Sequence, residues 1–170
     1  MPQLVLICLP LATSCFGEES QNLNQKLSKP LQNGFYAVRV EALTAGEVQC
    51  QDASCAAMLY DKTFTDSSES EPVKYVAIDT SSFVPFILEA APGAARAGAG
   101  KMILRVKLKK KYAQRLEDFS RRHLGGTVAI VLDGEIVTLH KVRSVVSGGQ
   151  VQITRCSDNA CEVLKAKLTK

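Results

Sequence analysis

Residues 121–137 read Arg-Arg-His-Leu-Gly-Gly-Thr-Val-Ala-Ile-Val-Leu-Asp-Gly-Glu-Ile-Val, and this run sets the architecture. Gly125-Gly126 stops a helix, because glycine enters the left-handed conformation of a helix C-terminus without a Cβ penalty. Thr127 to Leu132 is apolar throughout, as expected of a central strand covered on both faces. Asp133-Gly134 is a strong hairpin signal, since a type I′ turn needs positive φ at both central residues. Ile136 to Val146 is therefore predicted to return antiparallel to the first strand.

On the upstream side, Met102, Leu104, Val106 and Leu108 alternate with Arg105 and Lys107, which predicts a strand with one wet face. From Lys109 to His123 the period becomes helical, with Tyr112, Leu116, Phe119 and His123 on one stripe. Downstream, Ser147-Gly148-Gly149 turns the chain, and Val151 and Ile153 alternate with Gln150, Gln152 and Thr154. Ala160, Leu164 and Leu168, spaced by four, predict a short closing helix. Nearer the start, Tyr36, Val38, Val40 and Ala42 alternate with Arg39 and Glu41, and structure is expected to begin at Phe35. Further strands are expected over 57–64 and 73–78, with a polar loop over 65–72 between them. Ser81 to Ala90 reads as a short helix limited by Pro85, and Ala91 to Lys101 as a small-residue loop. The predicted class is α+β, a mixed or antiparallel sheet with helices packed on one face, in a single domain over 35–170.

The N-terminus has a different character. Residues 4–12 are an apolar block, too short for a bilayer span of roughly 20 residues but suited to a secretion signal. Ala12 and Ser14 are small residues just before Cys15, the arrangement of a lipoprotein signal. The expectation is a signal peptide over 1–14, lipidation of Cys15 and a flexible polar tether over 15–34. Ala12 stands where leucine is usual, and no basic residue precedes Leu4.

Four further cysteines form two pairs of equal spacing, Cys50/Cys55 and Cys156/Cys161, each enclosing a polar, turn-like gap. Two local disulfides fit an oxidising compartment, and a four-cysteine zinc site fits the cytosol. Neither pair has the two-residue spacing of thioredoxin-like redox sites.

Composition narrows the function classes. A net charge of +4 divides into −6 over residues 1–95 and +10 over 96–170, so the second half suits an anionic partner or a solvated basic face. The basic stretch has no interleaved aromatic residues, which disfavours nucleic acid as a partner. Gly98-Ala99-Gly100-Lys101 is no phosphate-binding loop: Ala95 replaces the first glycine, Met102 replaces the magnesium-binding hydroxyl, and a strand follows in place of a helix. His123 and His140 are the two histidines, and neither stands at a spacing that predicts a triad or a metal site. No catalytic residue, metal site, cofactor or nucleotide is predicted.

The helix over 109–123, the run Ala129-Ile130-Val131-Leu132-Asp133-Gly134 and the return Ser147-Gly148-Gly149 to Gln152-Ile153-Thr154 together resemble the periplasmic head of the SecD/SecF protein-export family. The resemblance covers about residues 100–155, and Asp133, Gly134, Gly148 and Gly149 are its structural markers. Thr138-Leu139-His140 stands where the family usually carries Ser-Ala-Pro. The resemblance implies a non-enzymatic protein outside the cytoplasm that engages a polypeptide or membrane-complex partner. Nothing after Val40 reads as a membrane helix, so the expectation is a detached head without the proton-driven motor. Two alternatives stand beside it: a purely structural, lipid-tethered envelope protein, and a cytosolic protein whose four cysteines hold zinc.

Overall fold

The computed structural model describes residues 31–61, 73–96, 102–156 and 158–169, with the side chains of 154–156 and 158–160 left aside. The expected signal peptide, Cys15, most of the tether, the loop over 65–72 and the Gly98–Lys101 segment lie outside the described residues. The elements in chain order are β1 (Gly34–Ala42), β2 (Cys55–Tyr60), β3 (Lys74–Pro85), β4 (Gly93–Arg96), β5 (Met102–Lys107), α1 (Lys110–Arg122), β6 (Thr127–Leu132), β7 (Glu135–Lys141), β8 (Gln150–Cys156) and α2 (Asp158–Leu168).

The α+β class holds, with antiparallel strands throughout, but two sheets replace the single one expected. One runs β2-β3-β1-β6-β7 and the other β4-β5-β8. Strand alternation divides the interior accordingly. Phe35, Ala37, Val128, Ile130 and Leu132 face a core completed by Leu116 and Phe119 of α1, Leu104 and Val106 of β5, Ile153 of β8 and Leu164 of α2. Tyr36, Met58, Val76, Ile78, Ala129, Val131 and Ile136 form a second cluster on the opposite face. That face is enclosed because the sheet curls: Cα atoms of the edge strands β2 and β7 come within 8 Å of each other. β6 is covered on both faces, as its unbroken apolar run requires.

Two expectations fail upstream. Residues 81–85 continue β3 in place of a helix, because Phe83, Val84 and Pro85 pair with Tyr36, Phe35 and Gly34. The small-residue stretch after Pro92 holds the edge strand β4, paired with β5. Among the described residues, the strand expected over 57–64 occupies Cys55–Tyr60.

The hairpin at Asp133-Gly134 forms as its sequence demands, with φ of 51° and 80°. Past it, Ile130 pairs with Thr138 and Val131 with Ile136, which leaves Val137 as an extra residue. Alternation sends Ile136 into the second cluster and Val137 into the first, and the bulge then sets Thr138, opposite Ile130, on the same face as Val137. Beyond the bulge, His140 lies opposite Val128, on the helix-covered face.

Irregular pairing between β1 and β3 is held by charge. Arg39 lies between Val38 and Val40, whose partners Ile78 and Ala77 are consecutive, so Arg39 is an extra residue in its strand. Its guanidinium reaches Asp52 at 2.8 Å, Ser54 at 2.7 Å and Asp79 at 3.3 Å. Hydrogen bonds from Ser54, then from Arg39, hold the Asp52 carboxyl below its ordinary range. Burial works against ionisation of Asp79, yet the hydrogen bonds from Ser81 and the Arg39 charge outweigh it and leave that pKa lowered as well. Cys50 and Cys55 are joined by a disulfide beside this cluster. Cys161 is also disulfide-bonded, and the side chain of its expected partner Cys156 lies outside the described residues.

Two outcomes follow from these contacts. Because both carboxyl groups titrate lower when folded, their stabilisation is complete above about pH 4 and lost as pH falls through the depressed values. Replacing Asp52 with Asn should flatten the loss of thermal stability as pH falls below about 4, read as Tm against pH. Replacing Cys50 and Cys55 with Ser should cost about 2 kcal/mol or less in urea unfolding, since the bridge closes only a short loop.

Candidate functional site

α1 has no acidic residue in its first turn and two arginines in its last, and it buries Leu116, Phe119 and Ser120. Its inward stripe lies against Phe35, Val128 and Ile130 of the large sheet. After β7 the chain crosses back over the helix on three sets of hydrogen bonds. Val142 exchanges backbone bonds with Gly125 and Gly126, at 2.8 and 2.9 Å. The Val146 amide donates to the Ser120 hydroxyl at 2.9 Å, and that hydroxyl donates to the Glu117 carbonyl at 3.0 Å. Leu108 donates its amide to the Gly149 carbonyl at 3.0 Å, which fixes the entry to β8.

Gly149 is required on two counts. Its φ is 67°, and a Cβ there would stand 2.5 Å from Cβ of Ala113 on α1. The Gly148-Gly149 turn thus lets β8 start hard against the helix.

These restraints leave a cleft of about 290 Å³ between α1, the sheet and the 142–152 segment. Its floor is apolar: Phe35, Leu116, Phe119, Val128, Ile130 and Val146. Lys141, Arg143, Gln150 and Gln152 form an exposed rim of cations and amides, and His140 and Val151 complete the wall. The volume lies at the lower limit of small-molecule pockets, roughly 300–1,000 Å³, and suits one or two apolar side chains. Beside it runs β8, which pairs only with β5 among the described strands, so its other edge presents backbone donors and acceptors.

His140 lines this cleft, its Nε2 3.3 Å from Thr138 Oγ1. His123 is the C-terminal cap of α1, its ring 4.6 Å from Phe119. Burial, followed by the Arg122 charge, lowers the His123 pKa, with Asp79 opposing. No group of three or more His, Cys, Asp or Glu able to hold a metal occurs among the described residues. Of the motif residues expected from sequence, Gly148 and Gly149 make the turn into β8, outside the cleft lining, while Asp133 and Gly134 make a remote hairpin turn. Ser120, Lys141 and Arg143 were not anticipated from the sequence. Ser120 carried a faint signal, as a hydroxyl between Phe119 and the basic end of the helix.

Replacing Ser120 with Ala removes the acceptor of a partly buried amide and should destabilise the protein by about 1–2 kcal/mol in denaturant unfolding. Gly149→Ala should cost about 2 kcal/mol or more, by overpacking against Ala113 and by left-handed backbone strain.

The sequence profile of the SecDF P1 head subdomain matches residues 84–168, a span that contains every cleft residue except Phe35. No curated protein matches the chain. A structure of SecDF, described as a membrane component that enhances protein export, is 25% identical with a TM-score of 0.44, covering 49% of this chain and 40% of its own. A structure of SecDF in a Super-membrane-facing form is 18% identical with a TM-score of 0.50, covering 91% of this chain and 21% of its own. The chain thus spans less than half the length of either protein. With a profile match across half its residues, the chain belongs to the SecDF P1 head subdomain family.

Proposed function

We propose that this chain is a non-enzymatic, extracytoplasmic protein that binds extended polypeptide and serves protein export. The observation that carries the reading is the apolar cleft lying beside the edge of β8 that no described strand pairs. An extended client would add backbone hydrogen bonds along that edge, the mode by which sheets take up peptide strands, and seat an apolar side chain over Phe119 and Val146. Lys141 and Arg143 at the rim would favour clients with acidic residues flanking the apolar one.

The compartment rests on the Cys50–Cys55 disulfide, which suits an oxidising environment and withholds both sulfurs from a four-cysteine zinc site. It rests also on membership of the SecDF P1 head family. Removal of residues 1–14 and acylation of Cys15 would tether the domain to a membrane, with Cys156–Cys161 as the second local bridge.

Binding is tested by fluorescence anisotropy of a labelled, unfolded peptide carrying alternating apolar residues. The folded protein should bind it, and Val151→Asp, placing a charge in the cleft wall, should weaken binding about tenfold or more. Absence of binding by the parent protein would favour the structural, tethered alternative. Intact mass from the native host should show a chain starting at an acylated Cys15.

A further inference from the structure

Across from the cleft-rim residues Gln150 and Gln152, the exit of β5 carries a concentration of charge that is largely unpaired among the described residues. Residues 105–111 read Arg-Val-Lys-Leu-Lys-Lys-Lys, five cations without a carboxylate. Val106 and Leu108 are buried, while Arg105, Lys107 and Lys109 are exposed at every second position. Strand alternation therefore sets these three in a row on the wet side. Lys110 and Lys111 continue the row into α1 and are exposed too.

Internal pairing is sparse. Lys107 meets Glu89 at 3.0 Å, and among the described residues Arg105, Lys109, Lys110 and Lys111 make no ion pair. Placing lysines where the helix dipole is positive, with no acidic residue in the first turn, works against helix stability. Among the described residues, most of this charge therefore has no internal use. Ile87 borders the row: its carbonyl accepts the Lys109 amide at 2.9 Å, and its side chain is 38% exposed.

We infer that the Arg105–Lys111 row, with Ile87 beside it, is a docking surface for the anionic headgroups of a lipid bilayer. Lysine is a mobile point charge on a long apolar stem, suited to a fluid array of phosphates more than to one fixed carboxylate. Each lysine brought to an anionic membrane surface strengthens partitioning about fivefold, and an exposed isoleucine adds apolar insertion at the headgroup boundary. The row shares no residue with the peptide-binding cleft, although Arg105 and Lys107 stand opposite its rim residues Gln152 and Gln150.

Co-sedimentation of the full chain carrying Cys15→Ser tests this, with vesicles of phosphatidylcholine alone or mixed equally with phosphatidylglycerol. Any contribution from the apolar N-terminal block is common to both compositions, so the difference between them reads the charge. Anionic vesicles should bind the protein more tightly, with affinity falling as salt rises. The variant Lys109→Gln, Lys110→Gln, Lys111→Gln should bind them about tenfold or more weakly. A charge-matched variant, Arg121→Gln, Arg122→Gln, Lys165→Gln, should keep at least half the parent's affinity gain. Equal binding to both vesicle types, or a lysine variant that binds like the parent, would overturn the inference. The triple lysine variant, which alters no cleft residue, should bind the labelled peptide like the parent, so the lipid and peptide readings fail independently.

Discussion

A single helix laid over a single sheet face organises this domain. Phe35, Val128 and Ile130 project from adjacent strands of the large sheet and need an apolar lid. Leu116 and Phe119 supply it, and each becomes nearly inaccessible to solvent in doing so. Fully burying side chains of this kind is worth about 1.5–3 kcal/mol each, a large share of the net stability of a small domain. The returning 142–149 segment, the turn into β8 and the cleft all take their position from that helix, through Ser120, Leu108 and Ala113.

The cleft exists because the lid is narrower than the face it covers. Between the helix and the strand β8 no described helix or strand covers the sheet, and the 142–149 segment spans the gap without filling it. Polar rim residues project outward while the floor stays apolar. The same architectural choice leaves β8 with an edge that no described strand pairs, next to an apolar depression, a combination that a solitary, fully closed barrel would not offer.

Local features were legible in the sequence and distant pairings were not. α1, β6 and the Asp133-Gly134 turn are written in short-range patterns: a helical stripe, an apolar run and a dipeptide with positive φ. The division into two sheets depends on which strands find each other, and β1 meets β6 only across some ninety residues, which periodicity does not encode. β4 is made of Gly93-Ala94-Ala95-Arg96, whose small side chains give no alternation to detect. Ser81 to Ala90 reads locally as a short helix, yet cross-strand pairing of Phe83 and Val84 prevailed over that propensity. Gly148-Gly149 could be read as a turn, but the approach of Gly149 to Ala113 is a tertiary fact. Lys141 and Arg143 were invisible as site residues because nothing local marks which cations border a depression.

The pairing of β1 on one side with β3 and on the other with β6 bears on biogenesis. A polypeptide emerging from its N-terminus exposes the middle strand of the larger sheet first and the strand that completes its far side much later. Until α1 and then β6 appear, Phe35 and Ala37 lack first their covering helix and then the strand on their second side, and the nascent domain carries an unfinished, adhesive surface. A module of this topology is therefore itself a demanding passenger for whatever machinery escorts it, dependent on protection for most of its own emergence.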